Sequence, residues 1–97
     1  MKIYVSGPMT GIEDFNRPAF FFAENSLLEE GHQVVNPAKV NLGPGAKWED
    51  YMRVDLAGML DCEGIYMLKG WEASKGANLE LHIAKSLGFA VMHEVAE

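Results

Sequence analysis

Apolar and polar positions recur with two different periods along this chain, and the changes of period divide it into short strands and longer helices. Lys2 to Ser6 is β-branched and aromatic and reads as a strand that breaks at Gly7-Pro8-Met9-Thr10-Gly11. Asn16-Arg17-Pro18 marks a helix start, with Phe20, Ala23 and Leu27 facing inward and Gly31 ending it. Gln33 to Asn36 is a second strand, stopped by Pro37, and Ala38 to Lys47 is a loop long enough to reach over a site. Trp48 opens a helix that runs to about Leu60, and Gly64 to Leu68 is a strand apolar enough to be central. Ser74 is an N-cap by residue type for a helix reaching about Leu87, Phe89 to His93 is the last strand, and Glu94 to Glu97 is expected to fray. Strands alternating with helices through short connections require a parallel, helix-covered sheet with right-handed crossovers. The expectation is a single α/β domain over residues 1–97, a flavodoxin- or Rossmann-like three-layer sandwich with about four strands.

Two helices break their own pattern. At about 100° per residue, Gly76, Leu79, Ile83, Ala84 and Leu87 fall on one side of the last helix, and Asn78, His82, Lys85 and Ser86 on the other. Glu80 falls inside the apolar side. Helical side chains lean toward the N-terminus, so its carboxylate is expected over Gly76 and Ala77, in an open notch. Burying an unpaired carboxylate costs several kcal/mol or forces it to take up a proton, so such a group needs a partner or a purpose. In the preceding helix Trp48, Tyr51, Met52, Leu56, Met59 and Leu60 form an apolar arc with Asp55 near its middle. Inward acids can be structural ion-pair partners or can answer a helix dipole. Two of them on separate helices packed toward one sheet point instead to a shared polar pocket. Glu24 lies about 40° from Phe20 and is read as peripheral, because Ala19, Phe20, Ala23 and Leu27 centre that stripe elsewhere.

Composition narrows the chemistry. A chain of 97 residues that is 48% hydrophobic supports one core, at a size where oligomerisation helps. No run approaches the roughly 18 apolar residues of a membrane helix and no signal-peptide pattern precedes the first strand, so a soluble, cytoplasmic protein is expected. The single cysteine, Cys62, excludes an intramolecular disulfide, makes a thiolate metal site improbable and reads as an inert core residue. A net charge of −6 argues against a nucleic-acid-binding face while leaving room for a small anionic ligand held by local donors. The free N–H groups after Ser74 form an anion site by geometry. Trp71, just before it, either stacks on a flat ligand or covers the sheet edge. His32, after Gly31, reads as a helix cap. The Gly7 loop lacks the spacing of a dinucleotide fingerprint or P-loop, but a strand feeding such a loop is where α/β folds bind ligands.

The run from Met52-Arg53-Val54-Asp55-Leu56 to Cys62, followed by a strand and by Ser74-Lys75-Gly76-Ala77-Asn78-Leu79-Glu80, resembles the nucleoside 2-deoxyribosyltransferase superfamily. That group includes nucleoside 5′-monophosphate N-glycosidases and short phage and bacterial relatives, and Tyr4-Val5-Ser6-Gly7-Pro8 with Asn16-Arg17-Pro18 is most similar to the short ones. The resemblance covers nearly the whole chain. It implies that Glu80 is the nucleophile that attacks the anomeric carbon of a ribosyl or deoxyribosyl group, and that Asp55 orients the sugar or transfers a proton to the leaving base. Gly76 would leave room for the sugar. Serine at position 74, where many of the transferases have aspartate, tilts the implied substrate toward a 5′-nucleotide with its phosphate near Ser74 and the Gly7 loop. Tyr4, Ser6, Gly7, Pro8, Met9 and Trp71 complete the expected substrate contacts. The implied activity needs neither metal nor cofactor. The sequence ends soon after its fourth expected strand, where the transferases continue and can borrow a C-terminal carboxylate from a neighbouring subunit. Hydrolysis is therefore implied more readily than transfer, with a homo-oligomer as the means of completing the site. The alternative from another class is a catalytically silent nucleotide-binding or protein-interaction module on the same fold. A flavin carrier is disfavoured, because no loop is recognisably suited to flavin phosphate.

Overall fold

The computed structural model describes residues 1–95. Its elements are Lys2–Ser6 (β1), Arg17–Glu29 (α1), Gln33–Val35 (β2), Trp48–Leu60 (α2), Gly64–Met67 (β3), Lys75–Ser86 (α3) and Ala90–His93 (β4), with 3-10 turns at Glu13–Asn16, Pro37–Lys39 and Trp71–Ala73. The strands pair in parallel in the order β2-β1-β3-β4. The chain steps from β1 to β2 in one direction and from β2 past β1 to β3 in the other. Right-handed crossovers then place α1 on one face of the sheet and α2 and α3 on the opposite face. The result is a flavodoxin-like three-layer α/β domain whose switch point lies between the carboxyl ends of β1 and β3.

Alternation along β1 builds both cores. Ile3 and Val5 pack under Phe20, Ala23 and Leu27 of α1, while Tyr4 faces the layer of Met59, Ala77, Leu81 and Ala84 from α2 and α3. Side chains such as Ile3, Phe20 and Ile65 are fully buried, each stabilising the fold by about 1.5–3 kcal/mol. Cys62 belongs to the core beneath α2 and α3, as its apolar setting predicts. The end of α1 is closed by backbone: Gly31, at φ +91°, and His32 donate to the carbonyls of Leu28 and Leu27 at 3.0 and 3.1 Å. Asn36, predicted to end the second strand, instead accepts a bond from the Ala38 N–H at 2.9 Å and starts the following turn. Glu94, predicted to fray, is held by its N–H to the Met67 carbonyl and by its carboxylate to the Lys69 N–H; the rest of that expectation, residues 96–97, lies outside the described residues.

The roll of the helices differs from the hydrophobic stripes. Leu79, Leu87 and Leu60 are exposed, and α3 buries Ala77, Glu80, Leu81 and Ala84. A helix approaches a sheet most closely along its smallest side chains, so Ala77 and Ala84 set the contact line. A stripe weighted by hydrophobicity undervalues them. Gly76 is also not an open notch. A Cβ there would lie 3.2 Å from Met52 Sδ, so the glycine lets α3 press against α2. Glu24 is buried rather than peripheral, because Asn36 and Lys39 supply it with partners that no helical angle reveals.

Before α1 the backbone takes an unusual course. Asp14, Phe15 and Asn16 are consecutively left-handed at φ 52°, 51° and 61°. Asp and Asn adopt this region with little penalty, whereas Phe does so at a cost of roughly 1–2 kcal/mol.

Candidate active site

The alternation that puts Tyr4 under α3 puts Ser6 there as well, two residues closer to the carboxyl end of β1. Both hydroxyls meet Glu80. Tyr4 donates to Oε2 at 2.7 Å and Ser6 to Oε1 at 2.6 Å. Glu80 is 5% exposed, and the ion pairs found among the described residues do not include it. Burial pushes its pKa up to about 7, against the pull of the two hydroxyl donors and with a further push from Asp55. The same burial, with the Glu80 charge second, holds the Tyr4 phenol well above its ordinary value, so it remains a donor.

Asp55 comes from α2. Its Oδ1 is shielded from solvent and has no hydrogen-bond partner among the described residues, and burial raises its pKa to about 6. Asp55 and Glu80 both line a cavity of about 1050 Å³, which opens where β1 and β3 end, at the switch point where α/β folds bind ligands. Near neutral pH one carboxylate is held by two donors and a neighbouring carboxyl has an unsatisfied oxygen. This combination suits a nucleophile paired with a proton-transfer group.

The cavity walls are largely apolar and aromatic. Phe15 and Phe20 contribute from the α1 side and Trp48, Tyr51 and Met52 from α2. Its cations are Arg17, Lys69 and Lys75, although the whole chain carries a net charge of −6. Lys75 Nζ stands 4.0 Å from the centroid of the Trp48 ring, and the Arg17 guanidinium 5.3 Å from that of Phe15. A pocket of this size and lining accommodates a small molecule with a flat ring and a few polar groups.

A family model described as a domain of unknown function, DUF4406, matches residues 1–93, which span every strand and helix of the sandwich. The chain belongs to the DUF4406 family. No curated protein matches it.

Within this DUF4406 domain the residues singled out from sequence are distributed unevenly. Glu80, Asp55, Tyr4, Gly7, Pro8, Met9, Ser74 and Gly76 all line the cavity. Ser6 does not; it is fully buried behind Glu80 and reaches the cavity only through that carboxylate. Trp71 stands apart. It packs against the core under α3, its ring centroid 6.1 Å from that of His93, beside a separate depression of about 230 Å³. The structure places Trp71 outside the Glu80 cavity. Gly7 has a steric reason: a Cβ would meet Leu68 Cβ at 2.7 Å. Ser74 caps α3 by accepting from the Ala77 N–H at 3.2 Å.

Sequence reasoning missed the aromatic and cationic wall. Trp48 was read as part of a core arc, yet it is 36% exposed and faces the cavity from the first position of α2. The available signal was its position, since the first turn of a helix that follows a strand lies at the sheet's carboxyl edge. Phe15 and Arg17 carried no such signal, because the left-handed run that turns them toward the cavity leaves no periodic trace.

Proposed function

We propose that this DUF4406 domain cleaves the N-glycosidic bond of a nucleoside or nucleoside 5′-monophosphate, with Glu80 as the nucleophile. The observation that carries the reading is a nearly buried carboxylate on the wall of a ligand-sized cavity, held by two hydroxyls and without a counter-ion among the described residues. A carboxylate oxygen of Glu80 attacks the anomeric carbon as the C–N bond breaks, and the bonding pair leaves with the base. Asp55, whose carboxyl burial holds above its ordinary pKa and which lines the same cavity, supplies in its protonated form the proton that the departing base takes up. Water then attacks the anomeric carbon, its proton passing to the Asp55 carboxylate as the C–O bond to Glu80 breaks, which restores both acids and releases the sugar. The ring of Trp48 suits a flat base, and Lys75 and Arg17 suit a phosphate.

The test is to incubate the protein with a panel of nucleosides and 5′-monophosphates and follow free base by chromatography, with Glu80→Gln alongside. Release by the wild type that is lost in the variant is the expected result, and a second base added to the mixture separates transfer from hydrolysis. No release from any compound, while nucleotides still raise the melting temperature, overturns the enzyme and leaves a nucleotide-binding module.

A further inference from the structure

Two of the loop segments that wall the cavity above the sheet are built in opposite ways. On one side, the 3-10 turn at Pro37–Lys39 is tied down: Lys39 Nζ donates to Glu24 at 2.7 Å, Asn36 Nδ2 donates to Glu24 at 3.3 Å, and Asn36 Oδ1 accepts from the Ala38 N–H. On the other side, every residue from Thr10 to Phe15 is exposed. The bonds found along this segment are local: Ile12 N–H to the Met9 carbonyl, Phe15 N–H to that of Ile12, Arg17 to Asp14, and Asn16 Nδ2 to the Pro8 carbonyl. Ile12 and Phe15 line the cavity while remaining 40% and 56% exposed. Gly11 at φ +82° and the left-handed run at Asp14, Phe15 and Asn16 give the segment a turn at each end.

We propose that residues 9–16 form a lid that closes on an occupied cavity, turning at Gly11 and at the Asp14–Asn16 run and carrying Ile12 and Phe15 over the ligand. A segment with few buried contacts and many exposed backbone groups opens and closes at low cost. Two half-exposed apolar side chains at the mouth gain burial only once something fills the space beneath them. Closure excludes water from Glu80 and Asp55 while the ligand is bound. The nature of that ligand rests on the glycosidase reading; the lid does not.

Hydrogen exchange on the full chain tests it, with Glu80→Gln used wherever nucleotide is present so that nothing turns over. In the ligand-free protein the amides of residues 9–16 are expected to exchange at least about tenfold faster than those of residues 38–40; equal rates mean a rigid wall and overturn the lid. With saturating nucleoside 5′-monophosphates the amides of 9–16 are expected to slow about tenfold or more. Nucleotide that binds, by its shift of melting temperature, without slowing them overturns the lid while leaving the glycosidase reading intact. If no nucleotide binds, the glycosidase reading fails and the lid is decided in the ligand-free protein by the exchange ratio.

Discussion

Glu24 and Glu80 are the same residue type, on helices that cover opposite faces of one sheet, and they are buried to nearly the same degree, at 7% and 5% exposure. Their surroundings differ in kind. Glu24 has a cation, Lys39 at 2.7 Å, and an amide donor from Asn36, and it does not line the cavity. Glu80 has two neutral hydroxyls, a neighbouring carboxyl that repels its charge, and a wall of the cavity. Burial of an acid is therefore a poor marker of chemistry. The informative difference is whether the buried charge has been neutralised where it sits. Glu24 ties α1 to the turn after β2, whereas Glu80 has no cation among the described residues, which is what the proposed attack on a centre developing positive charge requires.

The sharpest way to break this comparison is to remove each charge in turn. Glu80→Gln is expected to lower base release by about a thousandfold or more, the loss typical of removing a group that acts as nucleophile. Glu24→Gln is expected to leave turnover within a few fold; equal losses would mean that both acids serve only the fold.

Stability is expected to respond in the opposite sense. The Glu80 pKa rises from 4.5 to about 7 on folding, so between these values the folded state binds more protons than the unfolded chain. Stability consequently falls as pH rises through that window and levels off above it. Glu80→Gln removes this penalty, so its melting temperature relative to wild type should climb between pH 5 and pH 8. A gain on the order of 1–3 kcal/mol at the upper end is expected. A difference that stays flat with pH in thermal melts would show that the carboxylate is not strained by its site.

Lys39→Met probes the other acid, leaving Glu24 buried without its cation. Breaking a fully buried pair costs about 3–5 kcal/mol. Because the Lys39 side chain is 55% exposed, solvent screens the interaction and about 1–2 kcal/mol is expected. This would appear as a melting temperature lower by about 5–10 °C, with base release per folded molecule preserved. The smallest effect is expected from Tyr4→Phe, which removes one of the two donors that favour ionised Glu80. The acid limb of the pH–rate profile should move up by about half to one pH unit. A downward movement would mean that Tyr4 does not stabilise the carboxylate.

The positions of the elements were legible because they depend on short-range patterning. β-Branched runs mark the strands, Pro18 and Ser74 mark helix starts, and Gly31 marks a helix end through its positive φ. The strand–helix alternation then leaves few topologies open to a parallel sheet with right-handed crossovers. Asp55 and Glu80 were legible for a related reason, as acids within apolar stretches on consecutive helices. The roll of α3 was not, because it is decided by how closely Ala77 and Ala84 can approach the sheet. The difference between Glu24 and Glu80 was not, because Lys39 and Asn36 reach Glu24 from 15 and 12 positions away and Tyr4 and Ser6 reach Glu80 from 76 and 74. By itself the sequence determined the order of elements, the class of sheet and the inward placing of Asp55 and Glu80, but not that of Glu24. Only the tertiary structure decided which of those acids is paired, which opens on a cavity and what walls that cavity, because such contacts join residues that have no local reason to meet.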